Sequence, residues 1–169
     1  MPDNGNETTA DFTAIHAFRL PRYDELPNIG LYLEQSLEVI NGAISPIIAE
    51  PITKPMMNNY VKHGVVPAAQ KKRYYRDSLC YALVMGALKP VFTVEQVGEF
   101  FRIQQETYPI QVAYDFFCTE FENALHAAFN FTGEALPSVE TMRTDQTILV
   151  RAMVLAAANS IFVTKSLGR

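Results

Sequence analysis

Between Thr53 and Arg76 the chain carries Lys54, Lys62, Lys71, Lys72, Arg73 and Arg76, and not one aspartate or glutamate. Cations gathered this way suit a polyanion, because duplex DNA presents about one negative charge per ~1.7 Å of its axis. Asn58, Asn59, Tyr60, Tyr74 and Tyr75 stand among them and add donors and acceptors that reach phosphates or base edges. The plain alternative for a Lys-Lys-Arg run is a solvated basic loop. What favours a DNA-facing surface is the preceding segment, where Lys54, Asn58 and Lys62 recur at i, i+4, i+8 with Asn59 beside them, as on one outward face of a helix.

Other residue types that do chemistry are present without the arrangement it needs. Cys80 and Cys118 form no CxxC and no Cys/His ligand spacing, and both sit among apolar neighbours, which reads as buried free thiols. Glu122 and His126 are i, i+4 but belong to no HExxH or ExxH pair, so they read as a surface pair and no metal is expected. His63 near a helix end complements the helix dipole. Ser45, Ser78 and Ser160 lie in no nucleophile-elbow context, and there is no glycine-rich phosphate loop. The chain is not expected to be an enzyme or to hold a cofactor. Phe116, Phe117, Phe121, Phe129 and Phe131 read as core or a dimer seam before they read as a ligand pocket.

The elements that would hold the basic window are helical. Leu33, Leu37, Ile40 and Ile44 keep one buried stripe after Asn28. Thr53 is a good N-cap, Pro55 is tolerated in the first turn, and Gly64 is a helix-ending signal; Met57, Tyr60 and Val61 would face inward. Residues 65–76 read as an extended loop or small β-hairpin. Asp77 would cap a helix carrying Leu79, Ala82, Leu83, Gly86 and Ala87, closed by Lys89 and Pro90. Thr93 with Gln96 forms a capping-box pattern ahead of Val97, Phe100 and Phe101. After Pro109, Ala113, Phe117, Phe121, Ala124, Leu125 and Ala128 form a stripe opposite Asp115, Thr119, Glu122, Asn123, His126 and Asn130. Gly133 and Pro137 mark a turn, and Ser138 would start a last helix, apolar nearly all round from Ala152 to Ala158. Residues 1–19 read as a flexible arm, 20–108 as the unit that holds the basic window and 109–169 as a helical extension for packing or dimerisation.

Composition bounds the rest. The chain has 169 residues, 49% hydrophobic, with 14 Lys and Arg against 18 Asp and Glu and a formal charge of -4. That supports one sizeable core. The overall acidity runs against nucleic acid, so the local clearing of acid has to carry that reading. Met1 to Thr13 is polar and does not read as a secretory signal, and the run from Ala152 to Ala158 is short for a membrane span. A cytoplasmic location without membrane association is expected.

The stretch from Thr53 to Pro67, TKPMMNNYVKHGVVP, resembles the second helix of MerR-type regulators: a capping Ser/Thr, a late aromatic, then Gly, two aliphatics and Pro. Lys72-Arg73-Tyr74-Tyr75 resembles the wing of that family, and Phe92-Thr93-Val94-Glu95-Gln96-Val97 its next helix start. Leu20-Pro21-Arg22-Tyr23, Glu25-Leu26-Pro27, Ile52-Thr53-Lys54 and Met57 to Lys62 resemble the bacterial DUF1836 family, whose function is unknown and which is grouped with MerR-like domains. The resemblance implies an all-α fold: a winged helix-turn-helix with a small β-wing and additional C-terminal helices. It places Lys54, Asn58, Asn59, Tyr60 and Lys62 on the groove side and Arg73 with Tyr75 on the wing, with Lys71, Lys72 and Arg76 as further phosphate anchors. Asn58 and Asn59 stand where MerR helices usually have Arg and Tyr, and Pro46 and Pro51 interrupt the segment before Thr53. The expected function is a transcriptional regulator binding double-stranded DNA as a homodimer. The rival is a helical protein-interaction module of the same fold without DNA binding. A small-molecule effector, if the chain takes one, would enter through the C-terminal helices.

Overall fold

The computed structural model describes residues 8–129 and 143–168, and these contain seven α-helices. They are α1 (Thr8–His16), α2 (Leu33–Ile44), α3 (Lys54–Lys62), α4 (Arg76–Leu88), α5 (Val94–Gln105), α6 (Ile110–Phe129) and α7 (Asp145–Ser166), with one 3₁₀ turn at Tyr23–Glu25. The chain is therefore all-α.

The centre is α4. Ser78, Leu79, Cys80 and every residue from Ala82 to Leu88 are buried, so this helix has apolar contact on nearly every side. A helix of that kind is stable only when neighbours cover it all round. Four do so: α2, α5, α6 and α7 all pack on it. Gly86 faces Ile44 at the end of α2 and Ile52 beyond it. A Cβ there would stand 2.5 Å from Ile44 Cδ1 and 3.1 Å from Ile52 Cδ1, so only hydrogen fits without a shift.

Local signals placed the starts of α3 and α5. Thr53 Oγ1 accepts from the Met56 N–H (3.3 Å), Pro55 lies in the first turn of α3, and Gly64 follows the helix at φ 71°. Thr93 and Gln96 bond reciprocally at the start of α5 (2.9 and 3.2 Å). The stripe Leu37, Ile40, Ile44 is buried, as are Phe117, Phe121, Ala124 and Leu125 on α6.

Several expectations need correcting. Within the supposed arm, residues 8–16 are helical, and Ile15 and Phe18 are buried against α6. Phe12 meets Phe129 edge-on at 5.3 Å, and Phe129 meets Phe162 likewise at 5.2 Å, so α1, α6 and α7 share one aromatic cluster. The N-cap of α4 is Tyr75, with Asp77 inside the first turn. The last helix is capped by Thr144, which accepts from the Thr147 N–H (3.2 Å). Asn130, Phe131, Gly133, Pro137 and Ser138 lie outside the described residues. No break in the core marks residue 108, because α6 and α7 join the same apolar cluster as α2 to α5.

The run from Ala152 to Ala158 lies within a 22-residue helix that contains an 18-residue window of mean hydropathy 1.7, long and apolar enough by those two measures to cross a bilayer. Its inward face, including Val150, Val154, Ala157 and Ala158, is buried in the common core, which is the position of a core helix.

Leu83 is fully buried at the middle of α4. Leu83→Ala should lower the unfolding free energy by about 2–5 kcal/mol, read from the shift of a urea transition, because rigid neighbours on every side prevent the cavity from collapsing.

Candidate nucleic-acid interface

The basic window folds into two elements, α3 and a sharp turn. Gln70 and Arg73 bond to each other in both directions (2.9 and 3.0 Å), closing a two-residue hairpin turn whose central residues are Lys71 (φ 49°) and Lys72 (φ 66°). Two successive positive φ values are those of a type I′ turn, which usually takes Asn-Gly because side chains beyond Cβ are strained there. Lysines at both positions place two cations at the apex of the turn. The expected β-wing is reduced to this: among the described residues no strand forms. Only two isolated bridges occur, Gln70 with Arg73 and Leu31 with Tyr74.

The Leu31–Tyr74 bridge (2.7 and 2.8 Å) ties the turn to the entry of α2. Arg73 lies 4.7 Å over the Tyr32 ring and donates to the Gly30 carbonyl (3.3 Å) and to Tyr32 Oη (3.2 Å). Gly30 makes this possible, since a Cβ there would come within 2.8 Å of Arg73 Cβ and 3.0 Å of the Tyr75 ring. From the other side, Lys54 Nζ bonds Glu34 (2.6 Å) in the first turn of α2. The turn and the start of α3 therefore flank one place, the N-terminal turn of α2. Sequence reasoning missed Gly30, Tyr32 and Glu34. They lie 20 to 43 residues away from their partners, and no local pattern marks them.

Not every expected contact residue is available. Asn58, Asn59, Lys62, Lys71, Lys72, Arg73 and Tyr75 are exposed. Tyr60 is 3% exposed and belongs to the core, where burial pushes its phenol pKa up, so it is no groove contact. It points inward because it shares the helical face of Met57. Arg76 is committed to the fold: its guanidinium donates twice to the Leu26 carbonyl (3.2 and 2.8 Å) and lies 5.1 Å from the Tyr23 ring centre. Lys54 carries a carboxylate partner, although an exposed pair of this kind contributes only about 0–1 kcal/mol and breaks readily. The lasting cationic feature is Lys71, Lys72 and Arg73.

The long connection between α2 and α3 is fixed by Asn41, whose amide donates to the Ile52 carbonyl (2.9 Å) and accepts from the Ile52 N–H (2.8 Å). This replaces the short turn of a compact helix-turn-helix.

On the other side, residues 20–26 are sewn between α6 and α4. Arg22 makes a bidentate pair with Glu122 (2.7 and 2.8 Å), which also accepts from the Leu20 N–H (2.9 Å). Glu122 is thus half-buried and paired with Arg22, and His126 stacks on His16 at 5.7 Å; the expected Glu122–His126 pair is replaced by these contacts. Asp115 accepts from the Tyr23 N–H (2.8 Å), and the Tyr23 hydroxyl donates to Asp77 (2.8 Å) at the start of α4. Burial pushes the Cys118 thiol up to about 12 and the Cys80 thiol higher still, so neither is a nucleophile near neutral pH. Among the described residues no group of His, Cys, Asp and Glu could hold a metal ion.

The hydrogen bond to Asp77, followed by desolvation, raises the Tyr23 phenol to about 12. A raised pKa favours the protonated form in the folded state, so this contribution is complete below about pH 10, the unfolded value, and is lost as pH rises through 12. Unfolding between pH 9 and 12 should therefore show a loss of stability that is smaller in Tyr23→Phe, measured as the change in denaturant midpoint.

Residues 21–117 match the profile of a domain of unknown function, DUF1836, which spans more than half of the chain, from the Arg22 clasp into α6. No match was found among curated proteins or among solved structures. The chain belongs to the DUF1836 family.

Proposed function

We propose that this protein binds double-stranded DNA as a homodimer, in the manner of a MerR-like winged helix-turn-helix regulator, and acts as a binding protein in the cytoplasm and not as an enzyme. The observation that carries this reading is the hairpin turn. Lys71 and Lys72 occupy its two strained positions and Arg73 is braced on Tyr32, so three cations project together from a fixed support. A turn serving only as a connection would gain from Asn-Gly at those positions. The turn would track phosphates as a reduced wing. The exposed Asn58, Asn59 and Lys62 of α3 would face the groove, where amides pair with adenine edges. Tyr75, exposed at the N-cap of α4, stands beside the turn.

The dimer is supported by α7. Its exposed positions Asp145, Ile148, Ala152, Asn159, Val163 and Ser166 fall on one outward stripe, polar at its two ends and at Asn159 and apolar at Ile148, Ala152 and Val163. Ile148 is 41% and Val163 52% exposed. A two-fold pair joined along this stripe would bury it and present two turns to a palindrome.

A second reading has its own support. Tyr60 is buried, Arg76 is engaged and Lys54 is paired, which leaves fewer groups for DNA than the acid-free window suggests. A protein-interaction module presenting the same turn to an acidic partner fits that reduced set.

Two measurements distinguish these. If the turn contacts phosphates, each contact adds about -0.9 to the slope of log affinity against log salt. The triple change of Lys71, Lys72 and Arg73 to Ala should weaken binding to all duplexes and flatten that slope, while Asn58→Ala with Asn59→Ala should erode preference between sequences. Absence of salt-dependent duplex binding by the unaltered protein at low ionic strength would sink the DNA reading and leave the interaction module. Separately, sedimentation at micromolar concentration should give twice the chain mass, and Val163→Lys should return it to one; a monomer at all concentrations would remove the palindrome.

A further inference from the structure

A second site lies away from the basic turn, where the connection after α2 meets the C-terminal ends of α4 and α7. It is a pocket of about 370 Å³, within the range of small-molecule sites. Its apolar floor holds Ile47 and Ile161, each 4% exposed, with Ile48 half-buried beside them. Its polar side holds two half-buried lysines, Lys89 and Lys165, and the exposed Glu50.

Three features define what such a pocket would take. Lysines at helix C-termini complement the helix dipole, which accounts for their place in the sequence but not for their partial burial beside an apolar floor. Lys89 Nζ donates to the Glu50 carbonyl (3.3 Å), and an ammonium has further donors to give. Burial pushes the Lys89 pKa down, and the Glu50 carboxylate acts against that shift. Lys165, in the last turn of α7, has no hydrogen-bond or ion-pair partner among the described residues. Two ammoniums against one carboxylate leave a single positive charge, which suits a monoanion. No aromatic ring lines the pocket, so its apolar floor suits an aliphatic body. We propose that the pocket binds a short aliphatic monocarboxylate, with its chain on Ile47 and Ile161 and its carboxylate at Lys89 and Lys165. This proposal does not rest on the DNA reading. A dimer joined along the outward stripe of α7 leaves the pocket open, because Lys165 lies two residues past Val163 and so on the other side of the helix.

Amide chemical-shift titration of the full chain tests it with three probes: hexanoate, hexanamide and inorganic phosphate. Hexanoate should shift the signals of Ile48, Ala49, Thr164 and Lys165 saturably. The amide should bind about tenfold more weakly or worse, the range of a hydrogen bond to a charged group, and phosphate should not saturate in the same range. Lys165→Gln removes a charge that the fold does not use. It should weaken hexanoate about tenfold and leave hexanamide unchanged. Thr164→Leu adds bulk to the α7 wall and should weaken both. No saturable hexanoate binding, phosphate binding as tightly as hexanoate, or a hexanoate affinity indifferent to Thr164→Leu would overturn the site. Equal binding of the amide, or a hexanoate affinity indifferent to Lys165→Gln, would overturn the assigned carboxylate contact.

Discussion

An apolar helix with no face to give to water has to be enclosed, and in this molecule that helix is α4. Its ten buried residues draw α2, α5, α6 and α7 around it, and α2 and α5 have the narrower stripe that a surface position requires. The Ile44 side chain at the end of α2 occupies the space beside Gly86 that a Cβ would take. The functional surface inherits its rigidity from this arrangement. The basic turn leads directly into the N-terminus of α4, and the bridge from Tyr74 to Leu31 anchors it to the start of α2.

The entry to α4 is also where the N-terminal segment is secured. Arg22 is held by Glu122 from α6, and Tyr23 links Asp115 on α6 to Asp77 on α4. The opposing carboxylate and its hydrogen bonds hold the Arg22 guanidinium firmly protonated, against the cost of partial burial. Half-buried, bidentate pairs of this kind specify geometry more than they add stability, because desolvation offsets much of the attraction. The polar side of α6, which a sequence pattern assigns to water, is in fact the clasp for a distant strip of chain.

One consequence follows for function. The cations that remain exposed after the fold has used its share are concentrated at the turn and at one face of α3, which narrows any polyanion contact to a small footprint.

The sequence by itself determined what depends on near neighbours along the chain. Thr53 and Thr93 announced their helices through caps that reach three residues ahead, and the stripe of Leu37, Ile40 and Ile44 announced a buried face through its period. The cleared acid between Thr53 and Arg76 was legible too, as composition. Tertiary structure decided which of those groups are free. Tyr60 satisfies both the inward stripe and the polar inventory, and only packing shows that it is core. Arg76 looks like its neighbour Arg73, yet the Leu26 carbonyl, 50 residues away, consumes one guanidinium while Tyr32 displays the other. Residues 8–16 lack a pattern of their own and become a helix in a structure that supplies α6 as its partner. A side chain's type and local period are written in the sequence, but its hydrogen-bond partner across tens of residues is fixed only when the chain closes on itself.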